Sequence, residues 1–571
     1  MENIAIAKIF DEVADLLDIQ GANPFRVRAY RTAARTIGTL GKPAASLVEA
    51  DGHALEQLPG IGADLAEKIA TICRTGKLPL LAELTRKTPE SLVALLRIPG
   101  FGPKRAKRVH KALGVETLAD LERAARSGRL AKLKGFGPAT EQAVLRGIAQ
   151  DKAHVTRTPI AEAEAYIRPI LEALKDAPGV QRLDVAGSYR RRAETVGDVD
   201  ILIAATKSGP IAERFVRHPD VTRVLAQGDT RCSVVLASGL QVDLRIVPPI
   251  SYGSALHYFT GSKAHNIAVR TLGVRRHLKI NEYGVFRGAK RIAGAKEEDV
   301  FKAVGLPWIP PELRENRGEL DAARAGTLPD LVALDDIRGD LQMHTTYTDG
   351  KNSLAEMAQA CADRGYEYIA ITDHTKAVRV AGGLGRAEFR KQFRELEAVQ
   401  KKVRGLTILK SAEVDILDDG SLDLDEATLA ELDVVVVSVH SRFNLTKSAM
   451  TTRVVRALQH PRAHILGHPT GRLIGKRDPY ALDMEAVVKA ARDHGVMLEI
   501  NAQPDRLDLS DLHASMAREA GVRLVISTDA HRVEELSFMR YGVDQARRGW
   551  CTARDIANTA SLAAFRKLLA K

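Results

Sequence analysis

Seven short apolar runs in the second half of this chain each end beside a side chain suited to a metal ion. They are "GDLQMH" (339–344), "YIAITDH" (368–374), "ILKSAEVD" (408–415), "LDVVVVSVH" (432–440), "HILGHP" (464–469), "VMLEIN" (496–501) and "RLVISTDAH" (523–531). Strand-like runs alternating with helical stretches predict a parallel α/β unit. In a β/α barrel the strand C-termini converge on one face, so scattered ligands become neighbours. His344, His374, Glu413, His440, His468, Asp529 and His531 would then form a polynuclear site, and imidazole with carboxylate suits Zn²⁺, Mn²⁺ or Fe²⁺. A single histidine of this kind is more often structural. Ligand-type residues at one strand end after another are hard to reach by chance.

The first run continues as "GDLQMHTTYTDG" (339–350), where His344 and Asp349 are candidate ligands and Gln342 stands two residues ahead of His344. A glutamine carbonyl oxygen is neutral and hard, better matched to Mn²⁺ or Mg²⁺ than to Zn²⁺.

Residues 1–150 read as helices joined by glycine turns. "LPGIGADLAEKIA" (58–70), "IPGFGPKRAKRVH" (98–110) and "LKGFGPATEQAVL" (133–145) repeat one pattern, and repetition carries more weight than any single copy. The pairs Gly60/Gly62, Gly100/Gly102 and Gly135/Gly137 can take the positive φ of a tight turn and leave backbone N–H groups open to a phosphate. Lys104 and Arg105, with Lys107 and Arg108 behind them, add electrostatic attraction to DNA. A plain helical hairpin is the alternative for one copy alone. Charge agrees with DNA binding: residues 1–320 hold 49 Lys+Arg against 36 Asp+Glu, while residues 321–571 hold 35 against 36. A basic front half suggests a polyanionic partner. The segments resemble helix-hairpin-helix motifs, which grip the DNA backbone without reading sequence.

The first copy, continuing as "LAEKIATICRTGKLPLL", resembles the small N-terminal domain of family X DNA polymerases. That resemblance places Lys68 on the family's deoxyribose-phosphate lyase lysine, with a solvated surface lysine as the alternative. "NPFRVRAYRTAARTI" (23–37) fits the same domain, with Arg26, Arg28, Arg31 and Arg35 for a 5′-phosphate or the template.

The densest chemistry lies in "VAGSYRRRAETVGDVDILIAA" (185–205). Asp198 and Asp200 alternate on a predicted strand and share one face. Converging carboxylates repel unless a cation sits between them. Asp243, in "LQVDLRIVPP", can complete a cluster suited to octahedral Mg²⁺ and two-metal chemistry. "GSYRRR" ahead of "GDVD", then "VDL" and "YFTGSKAHN", closely resembles bacterial family X DNA polymerases. The resemblance implies Asp198, Asp200 and Asp243 as metal ligands, and Gly187, Ser188 and Arg191 as triphosphate ligands. It places Tyr258, Phe259 and Gly261 at the sugar pocket, Lys263 and Asn266 at the incoming nucleotide, and Arg270 at the template.

The second half resembles the PHP (polymerase and histidinol phosphatase) domain that such polymerases carry at their C-terminus. By position this implies Gln342, His344, Glu413 and Asp529 in site one, Glu413, His440 and His468 in site two, and Asp349, His374 and His531 in site three. Family members usually begin the domain with HxH, where this chain has Gln342-Met343-His344. The implied chemistry is phosphoester hydrolysis, expressed as a 3′→5′ exonuclease that is typically Mn²⁺-dependent.

The chain is therefore expected to be multidomain, α+β and α/β. The expected parts are an N-terminal helical domain (1–85), a fingers-like helix-hairpin-helix region (86–155), a nucleotidyltransferase palm (156–245), a thumb-like subdomain (246–312), a linker (313–338), and a PHP domain built as a distorted (β/α)₇ barrel (339–571). The expected enzyme is a gap-filling repair polymerase using dNTPs and gapped or primer-template DNA, with Mg²⁺ or Mn²⁺ in the palm and two or three Mn²⁺ or Zn²⁺ ions in the PHP domain. A DNA-end-binding scaffold with an idle polymerase site, and a PHP domain acting as a small-molecule phosphatase, are the competing readings. Four distant cysteines without a CxxC pair, no run of eighteen apolar residues and no signal-peptide layout point to a cytoplasmic protein with reduced thiols, and the expected enzyme is a monomer.

Overall fold

The computed structural model describes residues 3–570 apart from 39, 41–43, 51–52, 89–90, 97–100, 134, 138–139, 143, 146–147 and 149–156. The chain forms two compact units, 1–156 and 157–571.

In the first unit, α1 (Asn3–Gln20) and α2 (Pro24–Gly38) pack through Phe10 and Tyr30, whose rings lie 5.5 Å apart. The first and second glycine hairpins lead into α3 (Ala63–Thr75) and α4 (Pro103–Leu113). The paired glycines divide the work instead of sharing one conformation. Gly60 and Gly135 take φ of +78° and +88°, whereas Gly62 and Gly102 are extended N-caps of α3 and α4. A Cβ on Gly60 would collide with Thr32, and one on Gly135 would lie 2.7 Å from Arg108, while Gly62, Gly102 and Gly137 face open space. In the first and third pairs only the first glycine needs its conformational freedom. The second keeps the helix N-terminus uncovered. Gly100 lies outside the described residues.

The second unit begins with a five-stranded sheet. In chain order its strands are β1 (Val180–Val185), β2 (Asp198–Ala205), β3 (Val221–Gln227), β4 (Arg231–Leu236) and β5 (Gln241–Val247), and their spatial order is β1-β2-β5-β4-β3. The β2–β5 pair is parallel and the others antiparallel, so a chain excursion separates two strands that lie side by side. Helices α5 (Tyr252–Thr260) and α6 (Lys263–Arg275) follow. Residues 313–338, although charged, are packed and not a free tether. Leu313, Ala323 and Leu331 join the apolar cluster of Val269, Leu278 and Phe301, and Arg314 and Glu319 are fully buried.

From residue 339 on, seven strands form a sheet in which spatial order equals chain order and every pair is parallel: β6 (Gly339–Asp340), β7 (Tyr368–Ile371), β8 (Thr407–Asp415), β9 (Val434–Ser438), β10 (Ile465–Leu466), β11 (Met497–Asn501) and β12 (Leu524–Ser527). A parallel bridge between Met343 and Ala530 joins the chain after β6 to the chain after β12, with His344 N donating to the Ala530 carbonyl at 2.8 Å. The seven strands thereby close on themselves, the predicted barrel. Val-rich strands such as "VVVVS" are apolar throughout because both faces are covered. Leu341, Leu409, Val436, Ile465 and Val525 pack with Phe565, whose ring stacks on Tyr368 at 5.1 Å. Among the described residues no helix is long and apolar enough to cross a membrane.

Candidate active sites

The first site lies on the palm sheet. The register places Asp200 opposite Asp243, with Asp198 two residues earlier on β2. Burial, and then the charges of Asp198 and Asp243, push the Asp200 carboxyl up to about 7, although Arg245 and Arg231 oppose the rise. Gln241 donates to Asp243 Oδ1 at 3.1 Å, and Arg245 stands 4.0 Å from Asp243 Oδ2. Negative charge therefore exceeds what neighbouring side chains balance, and this oxygen-only set fits a divalent cation.

Gly187 has φ of +65°, and a Cβ on it would approach Asp200 Oδ2 to 3.0 Å, so the Gly187–Ser188 turn abuts the carboxylates. Arg191 is bound from two sides: Nη1 donates to the Thr260 carbonyl at 2.6 Å and Nε to Glu315 at 2.9 Å. Gly261, at φ +69°, lies beside Arg191, where a Cβ would sit 3.2 Å from Nη1. Tyr258 is 37% exposed and meets Phe259 edge-on at 5.2 Å, so it is not a core aromatic. Arg245 covers the Phe259 ring at 5.0 Å. Asn266 donates to the Tyr258 carbonyl at 2.7 Å, while Lys263 and Arg270 are exposed on α6. In the first unit, Lys68 pairs with Asp64, Arg31 pairs with Asp15 at 2.7 Å, Lys104 is exposed, and Arg105 lies over the Phe136 ring at 5.7 Å.

The second site lies at the C-terminal end of the barrel. Glu413, 1% exposed, is its centre: His344, His374, His440 and His468 approach it at 3.4, 3.3, 3.3 and 2.9 Å. Three groups can each close on one ion: His344 with Glu413 and Asp529, His374 with Glu413 and His440, and His344 with Asp349, His374 and His531. The structure thus joins most of the expected ligands, with His344, His374 and Glu413 each shared between two groups. His374 takes the place expected for His468 beside His440, and His468 keeps its Nε2 contact with Glu413. Burial opposes the Glu413 charge, but His440, His374 and His344 hold its carboxyl well below the usual range. The His344 and His468 Nδ1 atoms are buried without hydrogen-bond partners, as in a site that a cation completes. His468 and Asp529 hold φ of +26° and +53°, strain of the kind that collects at functional positions.

Gln342 is fully buried, and neither Oε1 nor Nε2 has a hydrogen-bond partner. Its side chain lies against Gly467, the residue before His468.

Several residues outside the expected set support this site. Asp415 Oδ1 lies 3.1 Å from His440 Nδ1, Asn501 donates to Asp529 Oδ2 at 3.0 Å, and the His468 N–H donates to Glu499 at 2.6 Å. Asp415 was readable as the alternate residue to Glu413 on one strand face. Arg506, 3.6 Å from Asp529, lines a cavity of about 250 Å³ over the cluster together with Val378 and the fully exposed Val380. It sits in a loop that carries no motif.

A nucleotidyltransferase-type palm and a seven-stranded metal barrel, preceded by helical hairpins, define a two-site enzyme acting on phosphoesters. Sequence comparison agrees part by part. The chain matches the helix-hairpin-helix domain (1–78), the SAM-like helix-hairpin-helix tandem (92–150), the DNA polymerase beta palm (157–230), the DNA polymerase beta thumb (255–315) and the PHP domain (340–503). It is 38% identical to the DNA polymerase/3′-5′ exonuclease PolX of Bacillus subtilis (strain 168), over 98% of this chain and 97% of that protein. DNA polymerase lambda of Rattus norvegicus is 26% identical over 55% of this chain and 56% of its own length. A probable phosphatase of Thermoanaerobacter sp. (strain X514) is 30% identical over 32% of this chain and 73% of its own length. The chain belongs to the family X DNA polymerases, in the branch that carries a C-terminal PHP domain.

Proposed function

We propose that this chain is a template-directed DNA polymerase that fills short gaps during base excision repair, joined to a metal-dependent 3′→5′ exonuclease. It would act as a cytoplasmic monomer on gapped or primer-template DNA and dNTPs. The observation that carries the reading is the Asp198/Asp200/Asp243 cluster beside the Gly187–Ser188 turn, in a chain similar along its length to a polymerase with exonuclease activity. Asp198, Asp200 and Asp243 would hold Mg²⁺ or Mn²⁺, whose charge assists loss of the primer 3′-hydroxyl proton and departure of pyrophosphate. Gly187, Ser188 and Arg191 orient the triphosphate. Tyr258, Phe259 and Gly261 shape the sugar pocket, Lys263 and Asn266 face the nucleotide, and Arg270 faces the template. The hairpin residues Gly60, Gly62, Gly102, Lys104, Arg105, Gly135 and Gly137 hold the DNA backbone. In the barrel, two or three Mn²⁺ or Zn²⁺ ions would sit among Gln342, His344, Asp349, His374, Glu413, His440, His468, Asp529 and His531, and would supply Lewis acidity for phosphodiester hydrolysis.

A labelled gapped duplex incubated with and without dNTPs, in Mg²⁺ and in Mn²⁺, tests both halves. Asp243→Ala should lose extension and keep shortening the 3′ end, and His440→Ala should do the reverse. Extension by Asp243→Ala would overturn the palm assignment. DNA binding without incorporation by the unmodified chain would favour an end-binding scaffold. Phosphate release from small phosphomonoesters, with no attack on the 3′ end, would favour a phosphatase, a reading supported by the similarity to the Thermoanaerobacter protein. Lys68 is the candidate lyase amine. Borohydride should trap it on a 5′-deoxyribose-phosphate end, and an adduct that survives Lys68→Ala would remove it from that role.

A further inference from the structure

Three consecutive arginines follow the Gly187–Ser188 turn, and the fold sends each to a different place. Arg190 turns to Glu297, with contacts at 2.6 and 2.9 Å. Arg192, at φ +56°, reaches Glu164 at 3.4 Å and Asp544 at 3.5 Å. Asp544 belongs to helix Met539–Arg548 of the barrel domain. Arg191 spends Nε on Glu315 and Nη1 on the Thr260 carbonyl, which leaves only Nη2 without a partner among the described residues.

Glu315 is shared. Arg548, in the last turn of that same barrel helix, donates from Nη1 both to Glu315 at 3.1 Å and to the Arg191 carbonyl at 2.8 Å. Its other nitrogen, Nη2, is anchored on Asp511 at 2.7 Å, and Asp511 also holds Arg317 at 2.9 Å. Asp544 and Arg548 lie one turn apart, so one face of one helix grips the Arg192 side chain, the Arg191 backbone and the carboxylate that orients Arg191.

This arrangement does two things for an arginine that must hold a triphosphate. It fixes a long side chain before the ligand arrives, which reduces the ordering that binding requires. It also divides the Glu315 charge between two guanidinium groups, so that Arg191 retains net positive charge. Without Arg548, Glu315 would neutralise Arg191 and compete with the triphosphate.

We infer that Arg548 and Asp544, on a helix of the barrel domain, are positioning residues of the polymerase: they set the geometry and the residual charge of Arg191 for a nucleoside triphosphate. The inference rests on Arg191 as a triphosphate ligand, and the test separates the two. Extension of a gapped duplex in Mg²⁺ is measured against dNTP concentration for the full chain and for Arg548→Met, Arg548→Lys, Asp544→Asn and Arg191→Met. Arg548→Met should raise KM for dNTP about tenfold, as loss of a charge-assisted contact would, with kcat changed less than about threefold. Arg548→Lys should recover part of the loss, and affinity for gapped DNA and Mn²⁺-dependent hydrolysis should stay unchanged. Asp544→Asn should move KM the same way, by about threefold. An Arg191→Met variant with normal KM would remove the reading beneath the inference. Raised KM in Arg191→Met with normal KM in Arg548→Met would overturn the inference alone. So would a joint fall of kcat, DNA affinity and hydrolysis in Arg548→Met, which is the signature of general disruption. Should Arg548→Met fail to fold, an unchanged KM in Asp544→Asn decides against the proposal.

Discussion

The palm and the barrel both bury acidic side chains, but they treat the charge in opposite ways. In the palm, burial and the repulsion of Asp198 and Asp243 push Asp200 up to about 7, and the nearby arginines do not cancel this. In the barrel, burial works against Glu413 as well, yet the surrounding histidines hold its carboxyl well below the usual range. Burial likewise opposes a charge on His440, but Glu413 and Asp415 overcome it and push the imidazole up to about 9. The palm therefore leaves a gap in charge that a cation arriving with a triphosphate can fill. The barrel carries its own positive charge on imidazoles, which would give up protons on binding metal. The thumb shows a third solution: Glu297 lies between Arg190 and Arg314, and the protein balances the charge by itself.

The largest expected effect comes from Glu413, the candidate ligand shared between two groups of the barrel. Glu413→Gln should lower 3′-end hydrolysis on the order of a thousandfold or more and reduce bound metal, with gap extension unchanged. Full hydrolysis with a normal metal content would erase the contrast between the two sites. Next comes the thumb. Glu297→Ala strands the fully buried Arg314 and should cost about 3–5 kcal/mol of stability, read as a drop in denaturation midpoint relative to the unmodified chain that is the same with and without a chelator. The sign with pH follows from the pair. Burial opposes the Glu297 charge, but Arg314 and Arg190 hold its carboxyl below the ordinary value. Its contribution is thus full above the unfolded value of about 4.3 and is lost as pH falls through the folded one. A drop that disappears once the metal is chelated would mean that thumb and barrel do not separate. A smaller effect is expected at Asp415, whose bond to His440 orients a ligand. Asp415→Asn should weaken metal binding by about 10–100-fold and leave the fold intact, as measured by metal titration and thermal unfolding. Unchanged affinity would show that His440 needs no such support.

Much of the barrel was readable because its seven runs follow one another in space as they do in sequence, so strand ends alone bring the ligands together. The palm was readable for another reason: its turn and two of its carboxylates lie within a single stretch, 185–205. Distant pairing was not readable. That Asp200 faces Asp243 depends on the register of two strands separated by two others. Charge misled the reading of 313–338, where Arg314 and Glu319 suggest solvent until their partners Glu297 and His265 are seen. The glycine pairs reveal no division of labour in sequence, because which glycine takes the positive φ is set by the path of the turn, and the neighbours a Cβ would meet, Thr32 and Arg108, are brought there only by the fold. Arg506 stayed hidden because a loop arginine has no periodicity to mark its direction.

The smallest expected effect tests the one barrel position that departs from its neighbours. Gln342 is wholly buried with both amide atoms unsatisfied, and leaving such a group unpaired costs about 1–3 kcal/mol. Were the carbonyl oxygen to join His344, Glu413 and Asp529 around a cation, it would recover part of that. As a neutral oxygen donor it holds Zn²⁺ less well than an imidazole nitrogen would. Gln342→His should therefore raise the Zn²⁺ retained after dialysis by a modest factor, about two- to fivefold in the apparent dissociation constant, while the His374/Glu413/His440 group keeps its affinity. Metal analysis of the two proteins side by side reads this directly. If Zn²⁺ retention is the same in both, Gln342 contributes no ligand, and the contrast between barrel and palm rests on the seven histidine and carboxylate residues of the three groups alone.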